Sequence, residues 1–470
     1  GEESPFIDEL FSSLLCLASP SHAYNLDATN QMMSNKSKDN EHTNKFTSSQ
    51  EQRRPETAGE FLKIAQREFD QVCQWPFFEK NASRAYPLFD DRELTAGEEL
   101  GEGAFSRVFE IESFSLRGDM TQPEGSCSDK VVASVGSKGR SEEKAEANDD
   151  QSIEEHYDMR PSETRVFMKD KCTRDGDARY AIKRLKPNAH PGERIAAMLD
   201  LARECKILAT IHHSNIIKMR GMATGDPLRP NFFFILDRLY DTLEERIDVW
   251  KEEEKNFKSC LPCFGQDQHA MDLMRYDRIR AAYDIASAYR HLHSHKLIYR
   301  DIKPANIGFD VRSDVKVFDF GLARDISDCE QTKDGLYKMT GNIGSYRYMA
   351  AEVFLCLPYN LSADVYSYGI LLWQIMALDT PFKDMAQDDM HKTLMGRNLP
   401  LVPKTWPIMI VSLMQDCWSQ EISNRPDFGA VAHLLKEFLS LEANRLGSDE
   451  GSIDDRTGHM QDRSYDSARN

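Results

Sequence analysis

One stretch decides the fold and the chemistry of this 470-residue chain: Tyr299-Arg300-Asp301-Ile302-Lys303-Pro304-Ala305-Asn306. It places a carboxylate, a cation and an amide at fixed offsets in a turn-rich segment, at Asp301, Lys303 and Asn306. The transfer of a phosphoryl group needs these three kinds of side chain, because a hydroxyl must be oriented, negative charge neutralised and magnesium bound. The stretch therefore predicts a phosphoryl-transfer site.

A second acidic motif follows at short range. Asp319-Phe320-Gly321 begins 13 residues after Asn306, and its aspartate supplies a further oxygen ligand for a metal ion. Either motif alone is weak evidence, but the pair at this spacing resembles the catalytic loop and the D-F-G motif of the protein kinase family. The resemblance implies that Asp301 is the catalytic base, that Lys303 neutralises the γ-phosphate of ATP, and that Asn306 and Asp319 hold Mg²⁺.

A glycine-rich loop lies between two strand-like runs. It reads Leu100-Gly101-Glu102-Gly103-Ala104-Phe105-Ser106-Arg107-Val108. Glycines let the backbone approach phosphates closely and direct its N–H groups at them. The loop resembles the G-x-G-x-x-G-x-V loop of kinases with a serine as its third small residue, and a tight hairpin without a ligand is the alternative. The resemblance assigns ATP binding to Leu100, Gly101, Gly103, Ser106 and Val108.

The strand-like run Tyr180-Ala181-Ile182-Lys183 resembles the V-A-I-K strand of the family. The resemblance places Ala181 at the nucleotide and gives Lys183 the α- and β-phosphates. A helix is predicted over 193–211, and Glu204 within it is the candidate partner of Lys183. Its competitors in the same helix are Glu193 and Asp200.

A buried strand is predicted from Phe232 to Leu236, followed by Asp237-Arg238-Leu239. The resemblance makes these three residues the hinge, so the backbone of Asp237 and of Leu239 would hydrogen-bond to adenine. It also implies a stacked apolar spine anchored by Asp364, although its members are equally compatible with an ordinary core. The spine would comprise Leu208, Met219, Tyr299 and Phe320, with tyrosine where the family usually has histidine.

The segment from Asp319 to Glu352 resembles the activation segment of kinases. It ends in Gly344-Ser345-Tyr346-Arg347-Tyr348-Met349-Ala350-Ala351-Glu352, where Ala351 replaces the proline of the family's pattern. The resemblance pairs Glu352 with Arg425. Thr340 is the first candidate for a regulatory phosphate opposite Arg300, and a permanently ordered loop is the alternative.

Lys303 and Ser345 decide the substrate class. The order D-x-K-P-x-N and a serine at position 345 are typical of serine/threonine kinases, and Cys417-Trp418 before Arg425-Pro426 resembles the tyrosine-kinase-like group. The chain is thus identified as a protein serine/threonine kinase that uses ATP and Mg²⁺ and acts on protein substrates. A pseudokinase that binds nucleotide as a scaffold and a dual-specificity kinase are the alternatives.

The expected fold class is α+β, a bilobal protein kinase fold. It has a small β-rich lobe with one main helix and a larger, mostly helical lobe, with disordered insertions and tails. The expected organisation is a disordered region over 1–58, a helix and linker over 59–92, the kinase domain over 93–445 with insertions 113–178 and 251–272, and a disordered tail over 446–470.

Composition narrows the function further. A net charge of −18 argues against nucleic acid or an anionic membrane as the partner. No stretch approaches the ~20 apolar residues that a membrane span needs. Ten scattered cysteines indicate reduced thiols, which predicts a cytoplasmic or nuclear location. A regulatory partner could bind through 1–20 or 113–178.

Overall fold

The fold was analysed in a computed structural model that describes residues 58–81, 83–103, 105–116, 160–186, 191–259, 268–383 and 399–450. The strands are β1 (Leu88–Phe89), β2 (Leu94–Glu102), β3 (Ser106–Phe114), β4 (Thr173–Arg174), β5 (Asp177–Ala178), β6 (Tyr180–Leu185), β7 (Met219–Ala223), β8 (Phe233–Asp237), β9 (Asp241–Thr242), β10 (Leu297–Ile298), β11 (Ile307–Phe309), β12 (Val315–Val317) and β13 (Arg324–Asp325). The helices are α1 (Ala58–Cys73), α2 (Pro76–Lys80), α3 (Pro161–Asp170), α4 (Pro191–Leu208), α5 (Leu243–Ser259), α6 (Gln268–Ser294), α7 (Ala351–Phe354), α8 (Ser362–Ala377), α9 (Ile408–Cys417) and α10 (Phe428–Glu450).

A six-stranded sheet forms the small lobe, in the order β1-β7-β8-β6-β3-β2. Its central strands β6 and β8 are apolar and buried, with Ile182 and Ile235 paired across the ladder and fully enclosed. The long helix α4 packs beside this sheet and buries nearly every side chain described for it. The sheet and the helix together form the small β-rich lobe that the sequence predicts.

Helices dominate the second lobe. Helix α6 buries residues at helical spacing, and Tyr289 on it meets Phe428 of α10 with ring centroids 5.4 Å apart. Helix α8 is buried over most of its length between its neighbours. The predicted α+β, bilobal kinase fold is therefore confirmed. Among the described residues no helix is long and apolar enough to cross a membrane.

A short hairpin in the large lobe explains the spacing of the two acidic motifs. β11 and β12 pair antiparallel, with Ile307 opposite Val317. The first motif ends at the start of β11 and the second begins at the end of β12, so the hairpin returns the chain to the same edge. The N–H of Phe318 donates to the carbonyl of Asn306 at 3.1 Å and closes the pair.

Both insertions are more ordered than the sequence suggests. Within 113–178, helix α3 and the β4–β5 hairpin are folded, which corrects the expectation of disorder there. Only Met168 of α3 is buried, and a charged residue anchors the helix: Arg165 pairs with buried Glu93 at 2.7 Å. Polarity was therefore a poor guide to disorder in this segment.

Within 251–272, α5 continues to Ser259 and α6 begins at Gln268. Asp272 is buried because Arg275 and Arg445 pair with it, at 2.9 and 2.8 Å. Helix α10 runs to Glu450, so the first residues of the expected disordered tail are helical. The segments 1–57, 117–159, 260–267 and 451–470 lie outside the described residues, as does the expected docking region 1–20.

The expected linker before residue 93 also carries structure. The helix expected at the start of 59–92 is α1, which runs from Ala58 to Cys73, and a second short helix, α2, follows it. Strand β1 joins the main sheet by parallel pairing with β7. Two aromatic residues of this segment, Trp75 and Phe77, are buried at 5% and 3% exposure.

Candidate active site

The catalytic loop occupies the turn between β10 and β11. Arg300 adopts the left-handed backbone region, with φ of 71°, which redirects the chain so that the next side chain faces the cleft. A single 3-10 turn over Pro304–Asn306 then leads into β11. Asp364 fixes the loop from below, since its two carboxylate oxygens accept the N–H groups of Tyr299 and Arg300 at 2.8 Å each.

The carboxylate of Asp301 is held by three neighbours. Lys303 Nζ lies 2.7 Å from Oδ2, and Ser345 Oγ donates to Oδ1 at 2.7 Å. Asn306 Nδ2 donates to Oδ2 at 2.9 Å and to the Asp301 carbonyl at 3.0 Å. The structure thus brings together three of the predicted residues and adds Ser345 from the activation segment.

Lys183 forms the second focus of the site. Its Nζ lies 2.6 Å from Glu204 Oε2 and 3.3 Å from Asp319 Oδ1, so both lobes contribute to one ionic cluster. Burial opposes the charge on Lys183, but the two carboxylates outweigh it and raise the pKa of the ammonium. Lys183 in turn lowers the pKa of Asp319. Glu204 is the partner that the sequence singled out.

Of the two competing acidic residues, Asp200 is the one whose side chain the structure describes. Asp200 pairs with Arg203 at 3.1 Å, one helical turn away. The side chain of Glu193 lies outside the described residues. Asp319 has φ of 64°, a left-handed conformation that residues at catalytic turns adopt despite its cost.

The glycine-rich loop is the turn of the β2–β3 hairpin. Gly101 is paired with Val108, and the N–H of Gly103 donates to the carbonyl of Ser106 at 2.8 Å. A Cβ placed on Gly101 would find no protein atom within 4 Å, so this backbone borders open space. The loop is thus a tight hairpin whose backbone is accessible from outside. This geometry is compatible both with a phosphate-binding loop and with a hairpin that binds no ligand.

The predicted hinge follows β8 directly. The N–H of Asp237 donates to the Lys218 carbonyl at 3.1 Å, and its carboxylate binds Arg220 at 2.6 and 2.8 Å. A bond from Asp237 to adenine would therefore have to use its carbonyl. Ala181 is paired with Leu236 across the β6–β8 ladder, Leu100 lies on β2, and Leu239 lies two residues after the end of β8.

Tyr299 stands where the family usually has histidine. Its ring is buried at 1% exposure, contacts Phe320 edge-on with centroids 5.4 Å apart, and its hydroxyl donates to the Phe318 carbonyl. Leu208 and Met219 are buried in the same core. The tyrosine supports the backbone before Asp319 without reaching the cleft.

The activation segment is ordered through most of its described length. Glu352 and Arg425 form a two-pronged ion pair, with Nη2 3.1 Å from Oε2. Thr340 is half-buried, and its carbonyl accepts from the Tyr359 hydroxyl at 2.6 Å. Arg300 Nε donates to the Leu322 carbonyl at 2.7 Å. A regulatory phosphate at Thr340 stays a prediction.

Sequence reasoning missed Arg203. It is 5% exposed, and its Nη1 donates to the carbonyl of Gly321 in the D-F-G motif at 2.7 Å. The only available signal was its position beside Glu204, which puts it on an adjacent face of the same helix.

Gly344 joins the activation segment to the catalytic loop. Its φ is +98°, and a Cβ at this position would lie 2.2 Å from the carbonyl oxygen of Arg300. We expect Gly344→Ala to displace Ser345 from Asp301 and to lower kcat by about 10-fold or more, because neither the φ value nor the contact tolerates a side chain. Steady-state kinetics checks this, with Gly447→Ala, which meets no protein atom within 4 Å, as the control.

Among the described residues, Ser345 supplies the hydroxyl that donates to Asp301. Ser345→Ala removes a hydrogen bond to a charged carboxylate, and we expect kcat to fall by about 10-fold with little change in KM for ATP. The comparison variant is Ser440→Ala, whose exposed hydroxyl donates to the carbonyl of Lys436 one turn earlier in α10. Equal kcat in the two variants would contradict a role for Ser345 in holding the carboxylate.

Comparison with known proteins places the chain in a family. The sequence model for "Protein tyrosine and serine/threonine kinase" matches residues 164–435, more than half of the chain. The chain therefore belongs to the protein tyrosine and serine/threonine kinase family, as the sequence motifs predicted. In general, members of this family use ATP and Mg²⁺ and act on protein substrates.

The chain is similar to several curated kinases. Serine/threonine-protein kinase STY17 of Arabidopsis thaliana is 28% identical over 285 residues, which cover 60% of this chain and 43% of that protein. STY46 of the same plant is 30% identical over 57% of this chain and 42% of its own length. Serine/threonine/tyrosine-protein kinase HT1 is 34% identical over 34% of this chain and 40% of its length. The chain thus spans less than half of these relatives.

Proposed function

We propose that this chain is a protein serine/threonine kinase that transfers the γ-phosphoryl group of ATP to serine and threonine hydroxyls of protein substrates. One observation carries the proposal: Asp301 is held at the same time by Lys303 and by Ser345. These are the two positions whose identity separates serine/threonine from tyrosine kinases. The relatives named serine/threonine-protein kinase support the same assignment.

Asp301 acts on the acceptor. Its carboxylate accepts the hydrogen bond of the substrate hydroxyl and takes its proton as the oxygen attacks the γ-phosphorus. A phosphorus–oxygen bond to the substrate forms, the bond to the β-phosphate oxygen breaks, and ADP leaves. Lys303, 2.7 Å from the same carboxylate, balances the charge that spreads over the phosphoryl oxygens. Lys183 holds the α- and β-phosphates.

Asn306 and Asp319 fit a magnesium site. Asp319 has a lowered pKa and is ionised at neutral pH, and Mg²⁺ prefers hard oxygen ligands. The amide nitrogen of Asn306 makes both of its bonds to Asp301, which fixes the amide oxygen on the opposite side. A magnesium ion held by Asn306 and Asp319 would neutralise negative charge on the phosphates of ATP.

Two alternatives differ in what they require. A pseudokinase would be expected to lack at least one of Lys183, Asp301, Asn306 and Asp319, and all four are present and assembled in one cleft. A dual-specificity kinase is favoured by the name of one relative, the serine/threonine/tyrosine kinase HT1. Which hydroxyl is phosphorylated is therefore the decisive measurement.

The test measures the transfer of radiolabelled phosphate from ATP–Mg²⁺ to a generic protein substrate and to the chain itself. Phosphoamino-acid analysis then identifies the labelled residues. Label on serine and threonine that is lost in Asp301→Asn supports the proposal. Label on tyrosine as well would assign dual specificity. Before a negative result is accepted, the assay is repeated after treatment of the chain with a phosphorylating extract, which supplies any activating phosphate. If neither the wild type nor Asp301→Asn then transfers label while ATP–Mg²⁺ still raises the thermal midpoint, the chain is a pseudokinase.

A further inference from the structure

The middle of the activation segment folds back on itself. We call residues 330–338 the segment tip. The N–H of Thr332 donates to the carbonyl of Leu336 at 2.7 Å. The N–H of Lys338 donates to the carbonyl of Glu330 at 2.9 Å, so the two ends of the tip are also joined. These bonds are internal to the tip and do not attach it to the rest of the large lobe.

Tyr359 attaches the tip to the large lobe. It is fully buried, and α8 begins three residues further on, at Ser362. Its main chain forms an antiparallel bridge with Tyr337 at the end of the tip. The N–H of Tyr337 donates to the carbonyl of Tyr359 at 2.8 Å, and the N–H of Tyr359 donates to the carbonyl of Tyr337 at 3.1 Å. This pair of bonds fixes the end of the tip against the residues that precede α8.

The side chain of Tyr359 makes a third contact further along the segment. Its hydroxyl donates to the carbonyl of Thr340 at 2.6 Å. The acceptor is a backbone atom, so this bond does not depend on the side chain at position 340. Because the hydroxyl is buried, the loss of the bond is unfavourable for the carbonyl that it leaves behind. One buried residue thus holds the activation segment at two points, Tyr337 and Thr340.

From Thr340 the chain leads directly to the catalytic carboxylate. Gly344 lies against the catalytic loop, since a Cβ there would be 2.2 Å from the carbonyl oxygen of Arg300. The next residue, Ser345, donates to Asp301 at 2.7 Å. The stretch between Thr340 and Ser345 is short and has little slack, so a displacement at Thr340 is expected to reach Ser345.

The chain contains a second buried tyrosine with the same kind of hydrogen bond. Tyr368 on α8 is also fully buried, and its hydroxyl donates to the carbonyl of Ala282 on α6 at 2.8 Å. That bond joins two helices of the large lobe, whereas the bond of Tyr359 joins the large lobe to the activation segment. If a buried hydroxyl contributes only to stability, the two tyrosines should respond alike when it is removed.

We propose that Tyr359 is a positioning residue of the kinase, which holds the activation segment at Tyr337 and Thr340 so that Ser345 stays on Asp301 and the protein substrate meets an ordered segment. The inference rests on the proposed kinase function for its kinetic readout. Tyr359 is fully buried and cannot contact a substrate, so it acts through the activation segment alone.

Tyr359→Phe in the full chain is the primary test, because it removes the hydroxyl and keeps the ring and both backbone bonds to Tyr337. We expect kcat/KM for a generic protein substrate to fall by about 10-fold. KM for ATP should stay within twofold, since Lys183 and Asp319 are untouched. The matched control is Tyr368→Phe, which should keep the wild-type kcat/KM. Each variant loses one buried hydrogen bond, so the two thermal midpoints should be similar.

Amide hydrogen exchange supplies a readout that does not need activity. In Tyr359→Phe we expect faster exchange over 337–345 and unchanged exchange in the β11–β12 hairpin, whereas Tyr368→Phe should match the wild type over 337–345. A wild-type kcat/KM, or unchanged exchange over 337–345, in Tyr359→Phe would overturn the proposal. Equal losses of kcat/KM in the two variants would also overturn it. The same holds for faster exchange throughout the chain with a midpoint far below that of Tyr368→Phe, since the hydroxyl would then contribute only to general stability.

The two proposals fail separately. If the wild-type chain transfers no phosphate, the kinase proposal is wrong, and exchange over 337–345 alone decides whether Tyr359 orders the segment. If the wild type is active and Tyr359→Phe equals Tyr368→Phe in both kcat/KM and exchange, the positioning proposal alone is wrong.

Discussion

Asp301→Asn is expected to lower kcat by about 10³-fold, because the amide cannot take the proton of the acceptor hydroxyl. The amide also presents an N–H₂ group where Lys303 Nζ and Ser345 Oγ now donate to a carboxylate, so one of these contacts is lost. KM for ATP should change little, since Lys183 and Asp319 are untouched. Steady-state kinetics with a serine-containing protein substrate measures both constants.

The control for this variant is Asp416→Asn, an identical change at an exposed position on α9. It should retain the wild-type rate. ATP–Mg²⁺ should raise the thermal midpoint of Asp301→Asn as it does for the wild type, which separates a chemical defect from a binding defect. A residual rate within 10-fold of the wild type would show that Asp301 is not the base.

Glu352→Gln is expected to cost about 3–5 kcal/mol of unfolding free energy. The side chain of Arg425 is 1% exposed, and Glu352 is the acid that compensates its charge across two contacts. The remaining hydrogen bonds of Arg425 go to the carbonyls of Ser419 and Ser362, which do not neutralise the charge of a guanidinium. Removing one partner of a buried pair therefore leaves an uncompensated charge in a medium of low dielectric.

Urea denaturation followed by fluorescence measures the loss. The matched control is Glu330→Gln, which breaks an exposed ion pair with Lys338 of similar length, 2.7 Å. Solvent screens such a pair, so its loss should leave the urea midpoint almost unchanged. Equal midpoints for Glu352→Gln and Glu330→Gln would show that burial adds nothing to the Glu352–Arg425 pair.

Much of the site could be predicted because its residues are close in sequence or follow in a fixed order. Asp301, Lys303 and Asn306 share one turn, and a tight hairpin brings Asp319 back to them, so the two motifs and their spacing were enough to carry the resemblance to kinases. Glu204 was selected from three acidic residues of one helix by resemblance to the family, and it lies 2.6 Å from Lys183. The position of the hinge was predicted because it follows directly after a predicted buried strand.

The remainder depends on contacts between distant residues that leave no local pattern. The bond between Phe77 and Asp325 joins positions 248 residues apart, and it uses a backbone N–H that every residue except proline possesses. Helix α3 is charged, so composition indicated disorder, whereas Arg165 and Glu93 secure it across the fold. The hydroxyl of Tyr299 donates to a backbone carbonyl, and no sequence pattern predicts that hydrogen bond either.

The β11–β12 hairpin has a mechanical consequence. The two residues proposed to hold magnesium, Asn306 and Asp319, flank one hairpin of the large lobe, whereas Lys183 reaches Asp319 from the small lobe over 3.3 Å. Opening of the cleft would separate Lys183 from Asp319, whereas the hairpin would still set the spacing between Asn306 and Asp319. The distance from Lys183 to Asp319 therefore reports how closely the two lobes approach each other, while the spacing of Asn306 and Asp319 depends on the large lobe alone.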